Sequence, residues 1–430
     1  MVIEDRSFTV DPQLAHRRGS AIVTVRAADG QPLANTAVTV AQRKHRFLFG
    51  CIGFEFIELV NGQPSANGED LEKMAKLWFD VFNFATLPFY WGNFEPERGK
   101  PDTQRVLKTA KWFQDNGCLV KGHPLAWHTV TADWLLGLSN AEIVDVQKGR
   151  IRREVTDFKG VIDAWDVINE VVIMPIFDKY DGFERRASTH DNGITRISRE
   201  LGRIGIIREM FDEARAANPG ATLLLNDFDM SAAYECLIEG CLEAGVRIDA
   251  LGLQSHMHQG YWGEEKTLAI VDRFARYGLP IHFTESTLLS GHLMPPEIVD
   301  LNDYQIPDWP STPEGEARQA DEMVRHYRTL LSHPAVEAIT YWGLSDAGAW
   351  LGAPVGFVRA DATPKPSYDA LRSLVKGDWW LAPTTMTTDD EGRLAVSGFL
   401  GDYEVAVAGA TASFALDRPG DQAVDARLDR

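Results

Sequence analysis

Two glutamates stand at the ends of apolar stretches that have the composition of β-strands. Glu170 ends the stretch 165–170, and Glu285 ends the stretch 280–285. Aromatic and β-branched residues such as Trp165 and Ile281 favour extended backbone. Two carboxyls are what the hydrolysis of a glycosidic bond requires, since one protonates the leaving oxygen while the other attacks or activates water. The two glutamates are therefore candidate catalytic groups.

Other polar and aromatic residues stand at or near further strand ends. They are His128, Asn169, Asn226, Asp227, Gln254, His256 and Trp342. A single glutamate in such a place is commonly a solvated loop residue or a member of a buried ion pair. Two glutamates on different strands, beside histidine, glutamine and tryptophan, instead indicate a polar site in which a small ligand lies between two carboxyls.

Strands and helices alternate eight times between residues 46 and 376, and this pattern predicts a (β/α)8 TIM barrel. In such a barrel the carboxyl ends of the strands carry the chemistry. Glu170 and Glu285 would end strands four and seven, on opposite sides of the mouth. An open doubly wound sheet is the alternative, but the first turn lacks the glycine-rich pattern that binds a dinucleotide. The predicted strands are 47–51, 82–86, 119–123, 165–170, 222–227, 250–256, 280–285 and 338–343.

Both ends of the chain have the pattern of β-structure. Residues 1–45 contain two strand-like runs, and residues 381–430 contain two more. An isolated hairpin is marginally stable, so we expect the two segments to pair in a small β-sandwich beside a catalytic barrel at 46–380. The sandwich is either a stabilising appendage or a carbohydrate-binding module. The first is favoured because no row of aromatics at every second position marks a sugar-binding face.

Composition narrows the class of ligand. The formal charge of −19 disfavours nucleic acid, anionic membranes and strongly acidic substrates, while 12 tryptophans provide flat faces that suit neutral sugar rings. The four cysteines have no metal-binding spacing and are interpreted as free, mostly buried thiols. The N-terminus lacks the pattern of a signal peptide. We expect a cytoplasmic protein for the chain as written, or a secreted or periplasmic one if the natural chain begins further upstream; the sequence does not predict the oligomeric state.

A metal site is the main alternative chemistry. His256 and His258 have the His-x-His spacing of some barrel hydrolases, and His123, His128 and Asp227 are possible further ligands. However, His258 lies at or past the end of its strand, and no His-x-His follows the first strand. The sequence therefore favours two-carboxylate chemistry with no cofactor and no metal.

The ordered set of motifs resembles glycoside hydrolase family 10, the family of endo-1,4-β-xylanases. The resemblance rests on 122–128 with Trp134, then 165–170, 225–227, 254–256, 284–285, 342–346 with Trp350, and 364–368. It implies a retaining barrel enzyme in which Glu170 is the general acid/base and Glu285 is the nucleophile. It also implies that several side chains bind the sugar. These are Asn169 at the 2-OH, His128, Gln254 and His256 beside it, and Tyr90, Trp134, Trp342 and Trp350 as aromatic surfaces.

The sequence departs from the family pattern at two places. The family holds the non-reducing side of the substrate with a Glu-Asn pair and a Lys after strand two, whereas this chain has 86–91, which is rich in apolar and aromatic residues. The family also has an acidic residue two positions after the nucleophile, which orients the histidine. Thr287 occupies that position here, so the relay behind His256 is altered.

These departures predict a retaining β-glycosidase whose substrate is not simple xylan, because sugar hydroxyls would lose hydrogen-bond partners. A decorated polysaccharide, an oligosaccharide or a plant glycoside would fit. The alternatives are an ordinary endo-1,4-β-xylanase and a barrel that binds carbohydrate without cleaving it. Two long loops, 171–195 and 286–316, are expected to narrow the cleft with the aromatic residues Phe177, Tyr180, Phe183, Tyr304 and Trp309.

Overall fold

The computed structural model of the protein describes residues 12–177 and 191–429. The strands in these ranges are β1 (Arg18–Arg26), β2 (Ala37–His45), β3 (Leu48–Ile52), β4 (Phe84–Pro88), β5 (Leu119–His123), β6 (Ala164–Asn169), β7 (Thr222–Asp227), β8 (Ala250–Met257), β9 (Ile281–Leu288), β10 (Val336–Tyr341), β11 (Thr384–Thr387), β12 (Arg393–Phe399), β13 (Gly401–Val407), β14 (Ala410–Leu416) and β15 (Gly420–Arg427). The α-helices are α1 (Phe56–Val60), α2 (Leu71–Val81), α3 (Trp91–Phe94), α4 (Thr103–Asp115), α5 (Asn140–Asp157), α6 (Gly193–Ala217), α7 (Ala232–Glu243), α8 (Glu264–Ala275), α9 (Pro313–Ser332) and α10 (Pro366–Ser373).

Strands β3 to β10 close into one barrel. Their order is β10-β3-β4-β5-β6-β7-β8-β9, and each neighbouring pair is parallel. At least one α-helix lies between successive strands. The predicted (β/α)8 barrel is therefore confirmed, and the carboxyl ends of all eight strands meet at one mouth.

The pairing of the barrel strands changes register next to one of the candidate glutamates. β8 and β9 pair Leu253 with Phe283 and then Gln254 with Glu285, so β9 has one extra residue at this point. An extra residue bends a strand and changes the direction of the side chains that follow it. The shift brings Gln254 and Glu285 side by side at the mouth.

The helices cover the barrel with apolar faces. In α2 the buried residues Leu71, Met74 and Trp78 recur at helical spacing, and the Asp70 side chain accepts a hydrogen bond at the N-terminus of the helix. α6 is broken at Gly202, whose φ of 71° suits glycine. No helix in the described ranges is long and apolar enough to cross a membrane. The four cysteines are free and three of them are buried, as predicted.

The terminal segments form two further sheets that share one core. One sheet has the order β12-β1-β15 and the other β11-β2-β13-β14. Side chains from both sheets, among them Val23, Val40, Val396 and Val405, pack in a single apolar cluster. The fold class, a TIM barrel with a small β-sandwich built from both termini, is thereby confirmed. The bounds drawn for the three segments stay a prediction.

Candidate active site

Glu170 and Glu285 both lie at the mouth of the barrel, on strands that are separated by β7 and β8. Glu170 directly follows β6, and Glu285 lies inside β9. The side chains of both glutamates are largely buried, with exposed fractions of 13% for Glu170 and 6% for Glu285. Glu170 has a φ of 59°, a left-handed conformation that is uncommon for a residue with a side chain and that recurs at functional sites.

Glu170 is surrounded by donors and yet favours its neutral form. The indole Nε1 of Trp127 donates to Oε2 at 2.8 Å, and the amides of Asn169 and Gln254 donate to Oε1, each at 3.1 Å. Burial, followed by the charges of Glu285 and Asp227, raises the pKa of Glu170 to about 8. Glu170 is therefore protonated at neutral pH, as a general acid must be.

Glu285 favours the opposite state. Asn226 donates to Oε1 at 3.0 Å and His256 Nε2 lies 3.1 Å from Oε2, while His123 Nε2 lies 3.8 Å from Oε1. Burial opposes ionisation, but the interactions with His123 and His256 outweigh it and hold the pKa of Glu285 below its usual value. Two carboxyls in one site thus have their pKa values pushed apart, which is how acid and nucleophile are distinguished.

Side-chain amides connect the two carboxyls. Asn169 donates to Glu170 and accepts from Asn226 at 2.8 Å and from Gln254 at 3.1 Å. Asn226 in turn donates to Glu285. Because each amide is fixed by its neighbours, the carboxyls are held in one geometry relative to each other.

A buried ion pair lies beneath the nucleophile. Asp166 accepts from Lys121 Nζ at 2.6 Å and contacts His123 Nδ1 at 2.8 Å, and none of the three side chains is more than 1% exposed. Although burial opposes ionisation, Lys121 and His123 lower the pKa of Asp166. The carboxylate thereby orients the His123 ring, whose Nε2 faces Glu285. The sequence analysis did not identify this pair, although a Lys and an Asp inside two adjacent apolar strands indicate a buried ion pair.

Four partly exposed rings follow one another along adjacent loops of the mouth, and we call them the aromatic arc: Trp127, Tyr90, Phe54 and Trp342. The distances between ring centroids are 5.6 Å for Trp127 and Tyr90, 5.9 Å for Tyr90 and Phe54, and 5.6 Å for Phe54 and Trp342. Trp127 donates to Glu170 and Trp342 contacts His123, with centroids 5.0 Å apart. The arc therefore runs along one side of the site from Glu170 to the neighbours of Glu285.

Most of the predicted binding residues contact this site. His128 is buried with Nε2 at 3.9 Å from Glu170 Oε2, and Phe177 packs on its ring at 4.4 Å. Trp350 is 38% exposed and lies against His256 at 5.0 Å. Tyr90 and Trp342 belong to the aromatic arc, while Asn169, Gln254 and His256 bind the two carboxyls directly, as described above. Phe54 was missed, because nothing in the sequence marks one Phe of a loop as facing a site.

The remaining aromatic residues named from the sequence lie away from the aromatic arc or outside the described residues, and the substrate contact of Trp134 stays a prediction. Trp134 is not brought to the arc, because its indole donates to the Glu95 carbonyl at 3.1 Å and its ring packs edge-on against Trp91. Trp309 does not face the cleft, since it is buried in a small satellite core, where Tyr304 packs against it. Tyr180 and Phe183 lie outside the described residues.

The two histidines of the His-x-His motif have different partners. His256 faces Glu285, whereas His258 Nδ1 lies 3.5 Å from the hydroxyl of Thr287. Within residues 12–177 and 191–429, no group of three His, Cys, Asp or Glu side chains is arranged to hold a metal ion. His256 Nδ1 is buried and has no hydrogen-bond partner among these residues, which agrees with the altered relay expected from Thr287.

Comparison with known proteins identifies the family. The model of the family described as Glycosyl hydrolase family 10 matches residues 71–374. The chain belongs to glycosyl hydrolase family 10. It is accordingly a glycoside hydrolase, and the match extends from the start of α2 to one residue beyond α10.

Individual relatives carry more specific names. Endo-1,4-beta-xylanase B of Thermotoga neapolitana is 28% identical over 71% of this chain and 84% of its own length. The anti-sigma-I factor RsgI6 of Acetivibrio thermocellus is 25% identical over 91% of this chain, but this match spans only 45% of that protein. Among solved structures, xylanase 10B from Thermotoga petrophila RKU-1 in complex with xylobiose has a TM-score of 0.60 and 24% identity over 77% of this chain and 95% of its own. At that identity, the solved structure supports the fold alone.

Proposed function

We propose that this family 10 member is a retaining β-glycosidase in which Glu170 is the general acid/base and Glu285 is the nucleophile. The observation that supports the proposal most strongly is the opposite shift of the two carboxyl pKa values within one hydrogen-bonded site. An inert binding barrel has no need of a protonated carboxyl beside an ionised one, so this arrangement disfavours the non-catalytic alternative.

In the first step the ionised Glu285 attacks the anomeric carbon while Glu170 gives its proton to the departing glycosidic oxygen. The product of this step is a glycosyl ester on Glu285, which carries no charge. Since the charge of Glu285 is one of the causes of the raised pKa of Glu170, ester formation lowers that pKa. Glu170 is then suited to act as the base that activates water, which attacks the anomeric carbon and releases Glu285.

The neighbours of the two carboxyls have supporting roles. Asn169 donates to Glu170 and lies beside it. From there its amide would also reach the 2-OH of the sugar at the scissile bond, and this hydrogen bond to the sugar strengthens in the transition state. His256 and His123 maintain the charge of Glu285. Trp342 and Trp350 offer ring faces for the sugar, and the net charge of −19 suits a neutral carbohydrate.

The substrate we propose is a β-linked carbohydrate or glycoside other than unsubstituted xylan. The end of β4 supports this, because Leu87 and Phe89 are buried in the barrel core and Tyr90 joins the aromatic arc. This segment therefore presents a single phenolic hydroxyl where the family places three polar side chains. The xylanase names of several relatives favour the second candidate, an ordinary endo-1,4-β-xylanase.

A substrate screen separates these candidates. Aryl β-glycosides and plant oligosaccharides should be hydrolysed at rates that exceed the release of reducing ends from plain xylan. Glu285→Ala serves as the inactive control, and addition of a chelator should leave activity unchanged. Vigorous hydrolysis of plain xylan would refute the proposed specificity, whereas unchanged hydrolysis by Glu285→Ala would refute the proposed nucleophile.

A further inference from the structure

The two proposed catalytic groups fix the direction in which the substrate lies. The glycosidic oxygen must be at Glu170 and the anomeric carbon at Glu285, so the leaving group extends towards Glu170 and its loop. The rest of the sugar points away from Glu170, across the mouth. In the closed strand order, β10 is four positions from β6 in either direction and therefore lies opposite it. The non-reducing end of the sugar thus faces the loops after β10 and its neighbour β3.

These loops carry the last two rings of the aromatic arc. Trp342 directly follows β10, and Phe54 is the second residue after β3. The Phe54 ring is edge-on to both of its neighbours in the arc, at interplanar angles of 86° to Trp342 and 86° to Tyr90. Phe54 therefore contacts both rings and lies between them in the arc.

The backbone behind Phe54 is tightly packed. A Cβ placed on the preceding residue, Gly53, would be 2.5 Å from the ring of Phe113, and Gly53 N donates to the Thr86 carbonyl at 3.1 Å. Since there is no space behind it, this segment cannot retreat from the mouth without disturbing the core. The position of Phe54 is thus imposed by the barrel.

The connection between β3 and α2, which carries Phe54, also contacts the segment after β10 at a second point. A Cβ placed on Gly348 would be 2.5 Å from the side-chain nitrogen of Asn67. Asn67 belongs to the segment after α1, and Gly348 belongs to the segment that carries Trp350. The two segments, which follow the adjacent strands β3 and β10, are therefore in contact.

We infer that the site is a pocket closed at its non-reducing side, which takes a single terminal sugar, so that the enzyme removes one sugar at a time from the end of a β-linked chain or from a small glycoside. This inference rests on the proposed function and specifies its mode of action. A second sugar at the closed side would meet aromatic rings in place of hydrogen-bond partners. Each hydroxyl buried without a partner weakens binding on the order of tenfold.

The test compares pairs of substrates that share a leaving group and differ by one sugar. Nitrophenyl β-xyloside is compared with nitrophenyl β-xylobioside, and nitrophenyl β-glucoside with nitrophenyl β-cellobioside. For at least one pair, the wild-type kcat/KM should be at least about tenfold higher for the monoglycoside. Time courses on xylo- and cello-oligosaccharides should show monosaccharide as the first product.

Variants locate the cause of this preference. Phe54→Ala should raise the ratio of bioside to monoglycoside kcat/KM by about tenfold, and Phe54→Leu should give a smaller change in the same direction. Phe228, an exposed residue directly after β7, provides the matched control. Because both substrates of a pair have the same leaving group, Phe228→Ala should not alter the ratio.

The outcomes distinguish failure of the inference from failure of the proposed function. Preference of the wild type for biosides, or disaccharide as the first product, with Glu285→Ala inactive, would overturn the closed pocket and leave the glycosidase intact. An unchanged ratio in both folded Phe54 variants would overturn the role of Phe54. Hydrolysis that persists in Glu285→Ala would instead overturn the proposed function.

Discussion

The negative charge of Glu285 should account for a measurable part of the raised pKa of Glu170. Glu285→Gln keeps the size of the side chain and removes the charge. For carboxyls about 5.5 Å apart, the spacing of retaining glycosidases, and an effective dielectric constant of about 20, the interaction is about 3 kcal/mol, or about two pKa units. Burial remains in the variant, so the pKa of Glu170 should fall from about 8 to about 6.

The assay is a carbon-13 NMR titration of protein labelled at the glutamate side-chain carboxyl. Glu170→Gln identifies the resonance of Glu170 by its disappearance. Asp227→Asn is the graded control: burial raises the pKa of Asp227 to about 7, so it is partly neutral, and it contributes less than Glu285 to the shift of Glu170. Its removal should therefore lower the pKa of Glu170 by less. Titration of Glu170 at the same pH in wild type and Glu285→Gln would refute the electrostatic argument.

Three further variants test other parts of the account. Glu170→Gln should lower kcat/KM, which reports the first step, by about 10²–10⁴ for glycosides with poor leaving groups and by much less for dinitrophenyl glycosides, whose leaving group needs no proton; steady-state kinetics on both substrates measure this. Asp166→Asn leaves the buried Lys121 without its anion and should destabilise the fold by about 3 kcal/mol or more, measured by urea unfolding. Thr287→Asp should give the buried His256 Nδ1, which has no hydrogen-bond partner among the described residues, an acceptor, so that the nitrogen-15 NMR shift of Nδ1 differs from that of the wild type.

Each of these three variants has a result that would contradict the prediction. An equal loss of kcat/KM on good and poor leaving groups in Glu170→Gln would show that Glu170 is not the acid. Asp166→Asn is paired with Lys121→Met/Asp166→Asn, which removes both charges and should recover part of the lost stability; no difference between the two would show that the lysine charge is not the cause. An unchanged Nδ1 shift of His256 in folded Thr287→Asp would mean that position 287 does not reach the histidine.

The barrel could be predicted from sequence because its strands are local patterns with clear boundaries. The predicted strands 119–123 and 222–227 coincide with β5 and β7, each of which follows a glycine turn that ends a helix. In the terminal sandwich, β11, β14 and β15 were not predicted. β15 contains a single large aliphatic residue, Val424, and is a strand because it pairs in parallel with β1, about 400 residues away in the chain. Such pairing leaves no local signal.

The site likewise combines residues that local sequence patterns identify with residues whose importance depends on distant parts of the chain. Glu170, Glu285 and Gln254 stand at strand ends, so their convergence at the mouth follows from the barrel alone. The importance of Phe54 follows instead from the rings on two other loops, which no local pattern relates to it. Trp134 was named from a motif alone, so its place at the substrate stays a prediction, and in the structure its ring packs against Trp91.

The central claim is a double displacement with Glu285 as the nucleophile. A 2-deoxy-2-fluoro β-glycoside with a dinitrophenolate leaving group should be attacked and then hydrolysed slowly, because the fluorine destabilises the oxocarbenium-like transition state. The measurement is intact mass spectrometry followed by peptide mapping. We predict one fluoroglycosyl group per protein, on the peptide that contains Glu285. A fluoroglycosyl group on any residue other than Glu285 would contradict the account. So would a protein that carries no fluoroglycosyl group and releases the α-anomer first from ordinary substrates, because that product indicates inversion.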